Sequence, residues 1–331
     1  MQKFLVIQTA FIGDVVLATS IVEKLHQHFP NSSIGFLLRK GNESLLDHHP
    51  FLNEVIIWDK KKDKLKNLWK LLLKIRETKY DVVINVQRYG ATGFLAAFSG
   101  AKKTIGFDKN PFSFLFTQKI KHVFDKKENG KHEIERNLEL IKDFTDDVAV
   151  RPKLYPTKND EEKIKSYQKN VYITVAPASV WFTKQYPREK WTSFINKLPS
   201  NLAIYLLGSP ADKNICENIL QSTTNKNVVD LSGKLSFLES CALMKNALMN
   251  YVNDSAPMHF ASAMNAPVSA IFCSTIPAFG YGPLSDKKFI IEIKEELYCR
   301  PCGLHGYKAC PEKHFRCAKE IQDEQLLQTL R

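Results

Sequence analysis

Short apolar runs alternate with segments whose apolar positions recur at helical spacing along most of the chain. Two of the runs, Lys3 to Gln8 and Val171 to Ala176, are typical of strands buried on both faces. Each run is followed by a loop and then by a helical pattern, Asp14 to His28 in the first case and Arg188 to Leu198 in the second. Strands that alternate with helices predict an α/β fold with doubly wound parallel sheets.

The sequence pattern also predicts two domains. A polar, charged stretch from Asp147 to Lys169 contains Pro152 and Pro156 and predicts a linker. We therefore expect an N-terminal domain at 1–150, a C-terminal domain at 170–315 and a last helical segment at 316–331. The further predicted strands lie at 34–38, 53–58, 81–86, 104–107, 203–207, 227–231, 248–252 and 267–272, and the further helices at 60–79, 93–98, 131–144, 211–220, 237–245, 257–264 and 320–330, with irregular, basic sequence up to Lys127.

Neither predicted domain contains Gly-x-Gly-x-x-Gly or a Walker A sequence, which disfavours a dinucleotide dehydrogenase and a P-loop ATPase. The loop from Val175 to Pro187 carries small residues, hydroxyls and one lysine instead. It connects a strand to a helix, the position where parallel α/β sheets bind ligands. Backbone N–H groups, Thr183 and Lys184 suit a phosphate, although an ordinary surface loop with a solvated lysine has the same composition.

Three segments carry a resemblance to a known family. Ala-Ser-Val-Trp-Phe-Thr-Lys-Gln-Tyr-Pro at 178–187 is similar to the Pro-Gly-Ser-x-Trp-x-Thr-Lys-x-Trp-Pro stretch of the ADP-heptose:lipopolysaccharide heptosyltransferases, the family-9 glycosyltransferases. Residues 253–261 resemble the Asp-Thr-Gly-Pro-x-His-x-Ala motif of that family, and residues 11–19 resemble its opening loop and first helix. The three segments occur in the family's order, each at a strand–loop–helix junction.

The resemblance implies a GT-B fold, in which two Rossmann-like domains face a cleft, and an inverting transfer that needs no metal ion. In such a fold we expect the N-terminal domain to bind the acceptor and the C-terminal domain the nucleotide sugar, and the last helical segment at 316–331 can cross back onto the N-terminal domain. It places Asp14 at the catalytic base, whereas the residue pattern alone equally allows a helix cap. A helix N-terminus stabilises the charged carboxylate and so makes it a weaker base. The chain contains no Asp-x-Asp to hold a cation, so Lys184 and the helix that starts at Pro257 are expected to stabilise the departing diphosphate.

Further positions are expected to contact substrate. Thr183 matches a family position that contacts the ADP phosphates, and Ser179 adds a second hydroxyl. In the later loop, Asp254 can accept from sugar hydroxyls, while Ser255 can also be a helix cap and His259 a packed histidine. The full set of expected substrate-binding residues is Gly13, Ser179, Thr183, Asp254, Ser255, Ala256, His259, Arg88 and Arg136.

Three departures from the family pattern leave the donor sugar open. Ala178 and Ala256 stand where the family has glycine, and alanine disfavours a positive φ. Tyr186 replaces a tryptophan, which predicts a packing change. These departures affect which sugar is bound more than whether one is transferred.

The formal net charge of +12 indicates an acidic partner. Leu65, Leu68, Trp69, Leu72 and Ile75 recur at helical spacing within the segment from Lys60 to Lys79, which holds nine basic residues and two acids. A basic amphipathic helix of this kind can lie on an anionic membrane or pack on its own sheet. The basic residues of the segment are Lys60, Lys61, Lys62, Lys64, Lys66, Lys70, Lys74, Arg76 and Lys79.

The family's acceptor is a lipid A core, so the resemblance favours the membrane and implies no nucleic-acid partner. Arg88, Lys102, Lys103 and Arg136 are candidates for binding its anionic groups, or are solvated surface charges. No signal peptide and no apolar run of membrane-spanning length is apparent, which predicts a cytoplasmic protein peripheral to the inner membrane.

Four of the seven cysteines, Cys299, Cys302, Cys310 and Cys317, form C-x2-C-x7-C-x6-C near the C-terminus. Thiols in a cytosolic chain indicate zinc more readily than disulfides, but this spacing is not that of a common zinc module. No catalytic metal or other cofactor is expected beyond the nucleotide-sugar substrate. Two alternatives remain at this point: a GT-B transferase that uses another nucleotide sugar for a different cell-envelope glycan, and a non-catalytic basic binding module.

Overall fold

The computed structural model of the chain describes residues 1–123 and 130–330, which form two compact units. Residues 1–123 and Lys131–Tyr155 build the first unit, and Gly130 together with the residues from Pro156 onward builds the second. Part of the basic segment predicted to be irregular, residues 124–127, lies outside the described residues, as does Arg331 at the end of the predicted C-terminal segment. Within that basic segment, a short strand forms at 118–120.

The first unit is built on a six-stranded parallel sheet with the strand order β3-β2-β1-β4-β5-β6. Its central strand is formed by the apolar run predicted at the N-terminus, and its four residues Phe4 to Ile7 are completely buried. Strands covered on both faces read as continuous apolar runs, which is why they were recognisable. The strands are β1 (Lys3–Ile7), β2 (Ser33–Arg39), β3 (Glu54–Trp58), β4 (Val82–Asn85), β5 (Lys103–Phe107) and β6 (Gln118–Ile120).

Helices cover both faces of this sheet. The first is buried along most of its length, from Val15 to Leu25. It ends at His28, two residues before Pro30, which cannot continue a helix. The helices of the first unit are α1 (Ile12–His28), α2 (Lys64–Thr78), α3 (Gly90–Ala97) and α4 (Glu133–Leu138).

A second six-stranded parallel sheet forms the second unit, with the order β12-β11-β10-β7-β8-β9. The described residues thus confirm the predicted α/β class with two doubly wound parallel sheets. Its strands are β7 (Tyr172–Ala176), β8 (Ala203–Leu206), β9 (Val228–Asp230), β10 (Met249–Asn253), β11 (Val268–Ile271) and β12 (Lys288–Ile291).

The helices of the second unit include one that the linker prediction missed. Residues 158–164 form a helix whose first turn is capped by the Thr157 hydroxyl, 3.2 Å from the Asp160 N–H. At the C-terminus, the predicted helix 320–330 is shorter, and its buried Ile321 and Leu326 belong to the core of the second unit. The helices are α5 (Lys158–Ile164), α6 (Arg188–Asn196), α7 (Lys213–Ser222), α8 (Phe237–Lys245), α9 (Ala256–Ala263), α10 (Arg316–Lys319) and α11 (Asp323–Leu327).

In both sheets the chain reverses its direction of winding beside the first strand. The reversal falls between β1 and β4 in the first sheet and between β7 and β10 in the second. At such a switch point the loops from the two neighbouring strands leave in opposite directions and open a binding crevice at the carboxyl edge. None of the helices within the described ranges combines the length and the apolar character that crossing a bilayer would take.

Candidate active site

The two loops at the switch point of the second sheet are held together by Asn253. This residue ends β10 and is completely buried. Its Nδ2 donates to the Pro177 carbonyl at 2.8 Å, and its Oδ1 accepts from the Tyr186 N–H at 2.9 Å. Asn253 therefore fixes both ends of the loop after β7 to the strand next to it, a role that the sequence analysis did not assign.

An ion pair joins the two loops at their centre. Lys184 Nζ lies 2.7 Å from Asp254 Oδ2, with the two side chains only 15% and 7% exposed. The Thr275 hydroxyl, which follows β11, donates to the same Oδ2 at 2.6 Å. An ammonium group carries three N–H donors, so Lys184 can bind a phosphate oxygen while Asp254 holds it in position.

Thr183 is engaged inside the protein. Its hydroxyl accepts from the Tyr307 N–H at 2.7 Å and from the Ser274 hydroxyl at 3.0 Å, and its own N–H donates to the Tyr307 carbonyl at 3.1 Å. Gly306 makes this approach possible: its φ is +76°, and a Cβ there would lie 2.8 Å from the Thr183 hydroxyl oxygen. The loop around Tyr307 thus braces the lysine loop, whereas a contact of Thr183 with phosphate stays a prediction.

The N-terminus of α9 faces the same loops. Ser255 is its N-cap residue, yet within the described residues its hydroxyl makes no capping bond to the helix and lies 3.4 Å from the Asn253 carbonyl instead. The first turn holds no acidic side chain. Pro257 has no N–H and the Met258 N–H donates to the Ser255 carbonyl at 3.0 Å, so the Ala256 N–H and the positive end of the helix dipole are what this turn offers to an anion. His259, one turn further on, is buried.

The two alanines that replace family glycines cause no backbone strain here. Neither Ala178 nor Ala256 is among the described residues with a positive φ. Ser179 is partly exposed, and its carbonyl accepts from Gln185 Nε2 at 2.6 Å, which closes the loop on itself. These loops therefore adopt their shape with alanine in place, and the sugar preference remains open.

The four C-terminal thiols do not assemble a metal site in this structure. Within residues 1–123 and 130–330, no group of three or more His, Cys, Asp or Glu side chains is placed to hold a metal ion. The Cys299 sulfur lies 3.9 Å from His314 Nε2. Burial and the neighbouring thiols raise the pKa of Cys317 to about 12. Zinc binding by the four thiols therefore stays a hypothesis from the spacing.

Asp14 lies at the switch point of the first sheet, in the first turn of α1. Its Oδ2 accepts from the Phe11 N–H at 3.2 Å, so the carboxylate does support the start of the helix. The side chain is partly exposed, as is the neighbouring Gly13. The structure therefore shows the capping interaction that the sequence allowed, on a residue that is partly exposed.

Lys60 is a residue at this switch point that the sequence analysis counted only as part of a basic run. Its Nζ donates to the Thr9 carbonyl at 2.8 Å and to the Thr9 hydroxyl oxygen at 2.9 Å. Burial and the charges of Arg39 and Lys64 lower the pKa of Lys60 to about 8. Its position directly after β3, at the carboxyl edge of the sheet, is the signal that could have singled it out.

The predicted acceptor-binding cations are not gathered in one place. Arg88 is exposed and follows β4, at the same edge as Asp14. Arg136 is buried, and its Nε donates to Glu133 at 2.8 Å. Lys102 and Lys103 stand at the amino end of β5, with Lys102 Nζ 2.8 Å from Asp81, so the structure separates them from the carboxyl-edge loops.

Known proteins resemble this chain in sequence and in fold. The model of glycosyltransferase family 9 (heptosyltransferase) matches residues 68–309. Lipopolysaccharide heptosyltransferase 3 of Escherichia coli (strain K12) is 26% identical over 289 residues, covering 81% of each chain. A glycosyl transferase family 9 structure from Veillonella parvula DSM 2008 superposes with a TM-score of 0.84 at 21% identity, covering 99% of this chain and 96% of the other. For E. coli ADP-heptose lipopolysaccharide heptosyltransferase II, the corresponding values are 0.82, 20%, 99% and 97%.

Proposed function

Because the chain belongs to glycosyltransferase family 9, the heptosyltransferases of lipopolysaccharide core synthesis, we propose that it moves heptose from ADP-heptose to the inner core. The acceptor would be a lipid A that bears Kdo or heptose. The reaction would invert the anomeric centre without a metal ion, at the cytoplasmic face of the inner membrane. ADP-heptose is the donor named for the E. coli structure that shares this fold, and it supports the proposal for this chain.

The observation that carries the proposal is the Lys184–Asp254 pair beside the N-terminus of α9. When the bond between C1 of the sugar and the diphosphate breaks, negative charge develops on the departing ADP. A cation and a helix N-terminus that are already in position stabilise this charge without reorganisation. Lys184 would donate to the diphosphate, and Asp254 Oδ1 would accept from a sugar hydroxyl, because both of its bonds described above go to Oδ2.

Asp14 would act as the base. The acceptor oxygen forms a bond to C1 as its proton passes to the Asp14 carboxylate, and ADP leaves from the opposite face of the sugar ring. The N-terminus of α1 stabilises the charged carboxylate and thereby makes it a weak base. Correct placement of the acceptor hydroxyl must then supply much of the rate enhancement.

The positive charge that a metal ion supplies in other transferases would come from Lys184 and from the N-terminus of α9. Helix N-termini bind phosphates through backbone donors and through the dipole, independently of a cation. We therefore propose that donor binding is unaffected by chelators.

For the anionic groups of the acceptor, we propose Arg88 together with Lys60. Both follow strands of the first sheet at its carboxyl edge, where Asp14 also lies. Lys60 is held by two bonds to Thr9 and is partly removed from water, which strengthens its attraction for a phosphate. A contribution of Arg136 would require the acceptor to compete with Glu133 for the guanidinium group.

A transferase for another nucleotide sugar and a different cell-envelope glycan is the second candidate, because Ala178, Ala256 and Tyr186 depart from the family pattern and leave the donor sugar open. Thermal unfolding with ADP, UDP, GDP or CMP, each with EDTA, distinguishes the two. A ligand at 100 times its Kd stabilises by about 2.7 kcal/mol. Stabilisation by ADP alone supports the proposal, a preference for UDP or GDP moves the donor, and no response to any nucleotide contradicts both candidates.

A further inference from the structure

Helix α2 carries two apolar stripes, of which only one packs on the sheet. Leu71, Leu72 and Ile75 are buried in the core of the first unit. Leu65, Trp69 and Leu73 follow one another at intervals of four residues and are 72%, 57% and 61% exposed. The sequence pattern had placed Leu65 and Trp69 on one face with Leu72 and Ile75; the structure divides that face, leaving the first two in solvent.

The exposed stripe continues onto aromatic residues of α3 and its C-cap. The ring of Trp69 lies 5.5 Å from that of Phe94, which in turn lies 5.0 Å from the ring of Phe98. Phe98 is itself exposed. Leu65, Trp69, Leu73 and Phe98 thus form one apolar surface, here called the α2 apolar face, and contiguous exposed apolar surface of this kind marks an interaction site.

Cations run alongside this surface. Lys66 and Lys70 are each one residue after a member of the exposed stripe and are themselves exposed, so they line its edge at the same four-residue interval. Lys61, Lys62 and Lys64, all exposed, extend the charge beyond the N-terminal end of the helix. The acids of the segment, Asp63 and Glu77, stand at or near its two ends. The occupant of the α2 apolar face must therefore tolerate leucine and tryptophan and carry negative charge.

We propose that the α2 apolar face docks the protein on an anionic lipid bilayer, with α2 lying in the plane of the interface. A helix with leucine and tryptophan on one side and lysine beside them binds the headgroup region in this way. The lysines complement the negative surface potential of anionic lipids. The inference rests on the proposed function in one respect only, that the acceptor is anchored in a membrane.

The docking also has a consequence for the site. Lys60 precedes α2 by four residues and bonds Thr9 at the carboxyl edge of the sheet. The N-terminal end of α2, with Leu65, therefore lies next to the loops that carry the proposed acceptor-binding residues. A bilayer held on α2 would bring the headgroup region of a lipid acceptor to that edge.

Co-sedimentation of the full chain with vesicles tests the proposal, without donor or acceptor present. One set of vesicles is phosphatidylcholine, and the other contains phosphatidylglycerol in addition. We expect the triple variant Leu65→Ser, Trp69→Ser, Leu73→Ser to bind the anionic vesicles roughly tenfold or more weakly than the unaltered chain. The matched control replaces three exposed aliphatic residues of the second unit, Val171, Leu220 and Val229, by serine and should bind as the unaltered chain does.

A second variant separates the charge from the apolar contact. Lys66→Glu with Lys70→Glu should remove the preference for phosphatidylglycerol while the exposed apolar residues remain. Thermal unfolding of both variants, and heptose transfer to a detergent-dispersed acceptor, should match the control because the altered side chains lie in solvent. A protein that binds vesicles but transfers no heptose would contradict the proposed function and leave the docking surface intact.

Three results would overturn the docking proposal. The first is equal binding of the unaltered chain to neutral and anionic vesicles, and the second is equal binding of the triple variant and its control. The third is a dimer in solution that the triple variant dissociates, since a second copy of the chain would then be what covers the α2 apolar face.

Discussion

Variants of the Lys184–Asp254 pair should change the stability of the protein and its affinity for ADP independently of each other. Lys184→Met leaves the 7% exposed Asp254 carboxylate with Thr275 as its remaining partner among the contacts described. Removing one partner of a fully buried pair costs about 3–5 kcal/mol. Because Lys184 is 15% exposed and Thr275 remains, we expect about 2–3 kcal/mol here. For a unit of this size, the loss corresponds to a fall in Tm of roughly 4–12 °C.

Combining Lys184→Met with Asp254→Asn should recover part of this stability. The uncompensated carboxylate is gone in the double variant, so the two changes should be non-additive by roughly 1–2 kcal/mol. Donor binding should not recover, since the cation for the diphosphate is missing in both variants. Thermal unfolding gives the stability of each variant, and titration calorimetry with ADP gives the affinity.

One outcome would contradict a direct role of Lys184 in binding the diphosphate. If the double variant regains ADP affinity together with stability, Lys184 serves only to neutralise Asp254 and has no direct role at the phosphates. A control is Lys184→Arg, which keeps the charge but changes its geometry. It should retain stability better than Lys184→Met and bind ADP with intermediate affinity.

Three further predictions follow from other parts of the two switch points. Asp14→Asn keeps an acceptor for the helix cap but cannot take a proton, so kcat should fall by roughly 10²–10⁴ with little change in Tm; an unchanged kcat would assign Asp14 to capping alone. Gly306→Ala should weaken ADP binding, because the new Cβ would lie 3.1 Å from the Lys184 side chain. The control is Gly100→Ala, at a residue with the same φ of +76° and no neighbouring atom within 4 Å. It introduces only the backbone strain and should leave ADP affinity unchanged. The affinity for a phosphorylated acceptor should fall as the pH rises through about 8, because the anion binds the charged form of Lys60 and the lowered pKa of Lys60 makes it lose that charge near this pH. Lys60→Arg should bind the acceptor without this pH dependence. The same dependence of affinity on pH in the Lys60→Arg variant would exclude Lys60 from the site.

The strands at the centre of both sheets could be predicted because burial on two faces leaves a continuous apolar run. The edge strands β6 and β12 could not, since Gln118–Ile120 and Lys288–Ile291 are short, partly exposed and contain lysine. Edge strands of this character are common because charge protects them from pairing with other chains. Helix α5 was missed for a related reason: its polar sequence reads as a linker, although the Thr157 cap marks its start.

In the candidate site, too, the residues of local motifs could be predicted, but contacts between residues distant in sequence could not. Lys184 and Asp254 stand in loops that motif and strand pattern identified, and their pairing is what adjacent β7 and β10 bring about. The bond from Thr275 to Asp254 spans 21 residues, and the bond from Tyr307 to Thr183 spans 124. No pattern in the sequence encodes these contacts, because they depend on which loops share the carboxyl edge once the sheet has formed.

The lysines that contribute to the net charge of +12 lie in two different environments. At the proposed donor site, Lys184 is neutralised by Asp254, so ADP would be held by donors already in position rather than by a surplus of charge. In contrast to Lys184, the lysines of α2 are exposed to water, including Lys66 and Lys70. Exposed charges are screened within about 8 Å at physiological ionic strength, and partly buried pairs much less. Raising the salt concentration should therefore release the protein from anionic vesicles while changing ADP affinity little, as vesicle co-sedimentation and calorimetry at 50 and 500 mM salt would measure. An equal loss of both would mean that the surplus charge acts at the donor site as well.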